Sequence, residues 1–160
     1  MRLTEAMALV RKFAKDEEVD ELLSDFLCSP SPQTAQMEKD SVLREFISSV
    51  VAPKVRSISG SRPELDDMGN LVLRMGDAKG SEGLLFMAYA MTFPPASMVE
   101  PYSGAAIAGE PFQITGPCAW GRGACEQKGA LAAMVGAAGI LARLGRPLSR
   151  RLGSCARTSR

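Results

Sequence analysis

Residues 121–144 read Gly-Arg-Gly-Ala-Cys-Glu-Gln-Lys-Gly-Ala-Leu-Ala-Ala-Met-Val-Gly-Ala-Ala-Gly-Ile-Leu-Ala-Arg-Leu, a glycine-rich turn running into a segment apolar on nearly every face. A helix of that composition, from about Glu126 to Leu144, is a buried one, and its small residues let a neighbour come close. The expected neighbour is Gly83-Leu84-Leu85-Phe86-Met87-Ala88-Tyr89, a continuous apolar run of strand length. Such a run reads as a central strand covered on both faces. Helices first, then strands, then a buried helix predict an α/β layered domain with a central mixed sheet and flanking helices.

Working outward, Leu3, Met7, Val10 and Ala14 keep one apolar face. Val19, Leu22, Leu23, Phe26 and Leu27 resume it after the charged stretch at 15–18. Pro30 and Pro32 end this helical stretch, since neither can donate to a helical ladder. A second helix is expected from about Thr34, with Val42, Leu43, Phe46, Ile47, Val50 and Val51 at three- and four-residue spacing and Pro53 closing it. Lys54–Ser59 is a short candidate strand. Asp66-Asp67-Met68-Gly69-Asn70 has turn chemistry and opens a strand at Leu71–Met75. Ala106–Ala108 and Phe112–Thr115 flank Gly109-Glu110-Pro111 as a hairpin. Leu84–Tyr89 should then sit between Leu71–Met75 and the Lys54–Ser59 region.

The 160 residues suffice for one domain with a core. Hydrophobic residues at 46% and charged ones at 23% place the chain among globular proteins. No run approaches the roughly 20 apolar residues that span a bilayer, and the charged opening reads as a helix, not a leader, so a cytoplasmic protein is expected. All 18 acids lie before Arg143, and from there onward come six arginines. That basic end lacks aromatic residues to stack on bases, so nucleic acid is not the expected partner. It also lacks apolar periodicity, and the stretch after Leu144 offers no recognisable strand. Four scattered cysteines (Cys28, Cys118, Cys125, Cys155) read as free thiols. Histidine is absent altogether, which removes the usual neutral-pH base and the commonest metal ligand.

Four elements in order carry a resemblance: Asp67-Met68-Gly69-Asn70 opening a strand, the apolar strand ending Ala88-Tyr89-Ala90-Met91-Thr92-Phe93-Pro94, the Gly109 hairpin, and Gly121–Gly129 opening an alanine-rich helix. This order is similar to the zinc-dependent aminoacylase, acetylornithine deacetylase, succinyl-diaminopimelate desuccinylase and carboxypeptidase G family, over roughly residues 20–145. The family's pattern is D-x-x-G-N, an apolar strand into G-H-x-D-T-V-P, then G-R-G-x-x-D-x-K-G. The resemblance implies the catalytic-domain fold of zinc-dependent exopeptidases and hydrolysis of C–N (amide) bonds by a water activated between two zinc (or cobalt) ions. A bound metal lowers the pKa of that water and polarises the carbonyl. It further implies that 1–145 is the amino-terminal part of such a catalytic domain, with 146–160 a basic, disordered tail.

Carried over residue by residue, Tyr89 stands at the family's first ligand histidine and Met91 at the aspartate that orients it. Glu126 stands at the bridging aspartate, keeping the charge one methylene further out, and is the only candidate metal ligand. No residue is assigned a catalytic role and no cofactor is expected for this chain. Cys125 as a helix-start nucleophile lacks a base, and a small buried thiol is the plainer reading. Arg122 and Lys128 are expected to cap and pair around the turn. The functional expectation is a truncated or divergent amidohydrolase, inactive as an isolated chain, toward N-acyl amino acids or peptides. The alternative is a non-catalytic interaction domain of the same fold. A missing strand should leave a sheet edge open to self-association.

Overall fold

In a computed structural model, the described residues are 3–36, 39–76, 83–104, 106–109, 114–145, 148 and 151–157. The opening stretch forms two helices, α1 (Leu3–Phe13) and α2 (Asp16–Leu27). They are held together by Arg143, whose Nε donates to the Phe13 carbonyl at 3.2 Å and whose Nη1 reaches Glu18 Oε1 at 3.2 Å. No α1 residue is buried, whereas Leu22, Phe26 and Leu27 of α2 are.

The next helix starts later than Thr34, at Ser41, because Asp40 caps it. The Asp40 carboxylate accepts from the amides of Val42 (2.9 Å) and Leu43 (3.1 Å) and from the Thr34 hydroxyl (2.5 Å). The Thr34 hydrogen bond, followed by the Leu43 amide, holds this carboxyl below its ordinary 3.8. Asp40→Ala should cost about 1–2 kcal/mol, read as a lower urea midpoint. Because the folded-state pKa is depressed, the contribution is present above pH 3.8 and lost as pH falls through the folded value. The variant should therefore lose stability less steeply than the parent in acid.

Pro53 does not close this helix. α3 (Ser41–Glu45) continues through a π-helical segment, Phe46–Val51, into α4 (Ala52–Ser59). Pro53 has no N–H to give, and its ring would crowd the carbonyl four residues back. The wider turn ahead of it, closed by the Ala52 amide on the Ile47 carbonyl, accommodates both defects. The expected strand at Lys54–Ser59 is thus helix. Val51, Val55 and Ile58 continue the three-to-four spacing and pack into the core, and Gly60, left-handed at φ 66°, ends it.

The strands are β1 (Glu64–Leu65), β2 (Leu71–Met75), β3 (Gly83–Tyr89), β4 (Ala106–Gly109), β5 (Ile114–Ala119) and β6 (Arg151–Arg157). β4 and β5 form the expected antiparallel hairpin, while residues 110–113 lie outside the described residues. The main sheet is mixed, in the order β1-β2-β6-β3. This corrects two expectations. Residues 151–157, read as a structureless tail, supply an interior strand, antiparallel to β2 and parallel to β3. The apolar run in β3 is consequently an edge strand, with Leu84–Met87 52–63% exposed.

α5 (Gln127–Leu144) packs on α2, α4 and the sheet. Register places Leu71 and Leu73, Ala88, and Ala156 on one side of the sheet, where they meet Leu131, Ala132, Val135 and Ala138 in a single core. Leu152, Ser154 and Ala156 alternate beneath the helices. The small Ser154 and Ala156 suit the close approach of a helix rich in Ala and Gly. No helix among the described residues is long and apolar enough to cross a membrane.

Candidate functional site

The chain leaves β3 at Tyr89 and is stitched to the segment after α2. Ser31 Oγ donates to the Ala90 carbonyl (2.8 Å), the Thr92 amide to Ser31 (2.8 Å), and the Gln33 amide to Thr92 (2.7 Å). These bonds fix residues 90–92 against 31–33, and the Arg122 guanidinium ties Phe93 to the turn that precedes α5. The result is a shallow depression of about 10 Å³ lined by Gln33, Tyr89, Met91, Thr92, Phe93, Glu126 and Gln127. The three positions singled out from the sequence, Tyr89, Met91 and Glu126, therefore meet at one place although up to 37 residues separate them.

The turn from Gly121 to Glu126 is held by its own backbone. The Gly123 carbonyl receives the amides of Glu126 (3.2 Å), Lys128 (3.1 Å) and Gly129 (3.4 Å). Arg122 does the pairing expected of it. Its Nε donates to the Phe93 carbonyl at 2.9 Å, its guanidinium lies 5.8 Å over the Phe93 ring, and Nη1 is 3.4 Å from Glu126 Oε1. Glu126 Oε2 is shielded from water and accepts no hydrogen bond.

Lys128 departs from expectation. It is fully buried and reaches away from its own turn to donate from Nζ to the Ser29 carbonyl at 2.5 Å. The same ammonium sits 4.9 Å over the Phe46 ring and 5.8 Å over that of Tyr102. Ser29 follows the carboxyl end of α2, where the helix dipole favours a cation. Burial nonetheless pulls the Lys128 pKa down to about 8. The sequence signal for this residue is its phase: Lys128 shares the buried face of α5 with Leu131, Ala132 and Val135. Cys125, expected to be a buried thiol, is exposed, and all four cysteines are free.

Asp66 organises the other motif. Its carboxylate accepts from the amides of Met68 (3.0 Å) and Asn70 (2.8 Å) and from the Asn70 side chain (2.8 Å). Desolvation alone would raise its pKa, and these hydrogen bonds outweigh it and leave it lowered. This carboxylate is spent on shaping the turn into β2 and lies outside the depression.

A pair of zinc ions would need histidine or thiolate ligands and a bridging carboxylate. Around the depression the donors are one carboxylate already facing Arg122, a phenol, a thioether, a hydroxyl and two amides. That set does not fit zinc. Among the described residues no three His, Cys, Asp or Glu side chains converge to hold an ion.

No family profile matches the chain and no curated protein sequence does. Solved structures do. An M20 family metallo-carboxypeptidase from Sulfolobus solfataricus superposes with a TM-score of 0.68 at 18% identity, covering 88% of this chain and 30% of that one. Human carnosine dipeptidase 1 gives 0.67 at 18% identity, over 95% of this chain and 34% of that one. A tripeptidase from Staphylococcus aureus gives 0.59 at 14% identity, over 90% and 36%. The chain spans about a third of the length of each of these structures. At such identities the likeness is one of fold: this chain folds as part of an M20 metallopeptidase does.

Proposed function

We propose that this chain is a divergent member of the amide-hydrolysing aminoacylase and exopeptidase group within that fold, and that its own residues do not carry out the hydrolysis. One observation carries the reading. The carboxylate at the matched metal position, Glu126, is turned toward Arg122, and Tyr89 and Met91 fill the neighbouring positions. Hydrolysis needs an activated water and a positioned base. The Glu126 carboxylate faces Arg122 and, among the described residues, has no second carboxylate or amine beside it in the depression. The chain offers no histidine in its place.

The test is turnover of N-acetyl amino acids and dipeptides with added zinc or cobalt, for the parent and for Glu126→Ala. The expected outcome is hydrolysis at background for both. Metal-dependent turnover that Glu126→Ala abolishes would overturn the reading. The second reading, a non-catalytic interaction domain, is favoured by the exposed apolar edge at β3.

A further inference from the structure

We infer that residues 93–101 are a lid beside the depression, pinned shut by Arg122, which swings as one unit between this closed position and an open one. Such a lid gates the depression whether or not the chain hydrolyses amides.

The segment is anchored just beyond each end. On one side Thr92 is buried, and its amide donates to the Ser31 carbonyl at 2.8 Å. On the other, the Gly104 carbonyl accepts from Ser24 Oγ at 3.1 Å. Gly104 lies so near α2 that a Cβ there would be 2.6 Å from Cys28 Sγ. Between these anchors the chain closes on itself through one residue. Arg122 donates its amide to the Pro101 carbonyl at 2.6 Å and its Nε to the Phe93 carbonyl at 2.9 Å. Loops with their ends drawn together in this way are compact surface units and frequently functional ones. The middle is held by Trp120, just after β5, whose Nε1 donates to the Val99 carbonyl at 3.0 Å. Little apolar packing opposes its release, for Ala96, Ser97, Val99 and Glu100 are all exposed.

The closed position carries local costs. Ala96 (φ 49°) and Glu100 (φ 45°) are the two non-glycine residues with left-handed backbone among the described residues, and both lie in this segment. Such conformations persist only where the surroundings impose them, and they gather in clamps and switching segments. A third cost sits at the pin. Arg122 Nη1 is 3.4 Å from Glu126 Oε1, while Oε2 is shielded from water and accepts no hydrogen bond. A buried acceptor left unsatisfied is destabilising. Lifting the Arg122 side chain frees the Phe93 carbonyl, relaxes Ala96 and Glu100, and admits water to Glu126 Oε2. The bonds given up are exchanged for bonds to water. Phe93 and Glu126 both line the depression of about 10 Å³, so the same movement widens it.

Hydrogen exchange followed by NMR on the full chain tests the lid. The amide at position 122 and the indole N–H of Trp120, the single tryptophan, both donate to the lid and should show equal protection. That protection should be at least about tenfold below that of the Leu131 amide within α5. Arg122→Leu removes the side-chain pin but keeps the amide, and should lower both protections about tenfold. Glu100→Gly relieves strain in the closed position and should raise both about threefold. Met91→Cys supplies a second readout, because Met91 is buried and lines the depression. Its alkylation by iodoacetamide, located by mass spectrometry, should quicken with Arg122→Leu and slow with Glu100→Gly. Circular dichroism checks that each variant keeps its fold. Unequal protection of the two hydrogens, protection as high as that of Leu131, or exchange and labelling indifferent to Arg122→Leu would overturn the lid.

Discussion

Gly123→Ala should lower the free energy of unfolding by about 3–5 kcal/mol, seen as a reduced urea midpoint with an unchanged slope. Two independent costs add. Gly123 has φ 97°, a backbone region that L-residues enter only under strain. A Cβ there would also lie 2.7 Å from Thr92 Cγ2 and 3.0 Å from Lys128 Cγ. The turn cannot shift to relieve either, because the Gly123 carbonyl anchors three amides at the start of α5. Thr92→Ser removes the methyl that the new Cβ would strike. The double variant Thr92→Ser/Gly123→Ala should therefore recover about 1 kcal/mol relative to the summed single costs, leaving the strain in φ and the Lys128 contact. Against a total stability of about 5–15 kcal/mol, the single change takes a large share.

That prediction changes how the glycine-rich motif is understood. Gly121 and Gly123 could be read as opening a helix amino terminus to an anion. Here they let backbone pass close to Leu27 and Thr92. Gly129 is in the same position, since a Cβ there would run into the Ala124 carbonyl. The turn is accounted for by packing and hydrogen bonding alone.

Local pattern carried much of the fold. The two-sided apolarity of Gly83–Tyr89, the alternation at Leu71–Met75 and the small-residue helix Gln127–Leu144 each gave the right element. What local pattern could not supply was strand order. Whether Leu84–Met87 lies inside or at the edge depends on which strand fills the place beside β2, and that strand is Arg151–Arg157. Of its helix-side residues, Leu152, Ser154 and Ala156, only the first is bulky and apolar, so the usual alternation of bulky apolar residues is missing. Pro53 misled in the opposite sense. A proline ordinarily ends a helix, but a π-helical segment ahead of it absorbs the missing donor. At the site, the order of motifs singled out positions 89, 91 and 126, and the structure places all three around one depression. The burial of Lys128 went unread because a lysine beside a glycine at the end of a glycine-rich turn suggests a solvated position. Its alignment with Leu131 and Val135 on one helical face is the cue that overrides this.

Raising the pH from about 8 to about 10.5 should stabilise the parent chain relative to Lys128→Met by roughly 3 kcal/mol. The sign follows from the direction of the shift. The folded-state pKa of Lys128 is near 8, lowered from 10.5 by burial. Below pH 8 the lysine is protonated in both states, and the folded chain bears the whole cost of holding a charge out of water. Between 8 and 10.5 the unfolded chain binds the extra proton, so stability climbs as that cost is relieved. Above 10.5 the difference levels off. Comparison with Lys128→Met isolates this lysine from the thiols and phenols that titrate in the same range, because the thioether nearly preserves volume and removes the proton. Lys128→Ala serves as the second arm. It leaves a cavity and strips the Ser29 carbonyl of its donor, and should cost about 3–5 kcal/mol at pH 7. Urea titrations of the three proteins at half-unit steps from pH 7 to 10.5 give the full comparison. A parent-minus-Met difference that stays flat across the window would mean that the ammonium is held as comfortably in the fold as in water. In that case the ring faces of Phe46 and Tyr102 and the Ser29 carbonyl would together compensate its desolvation.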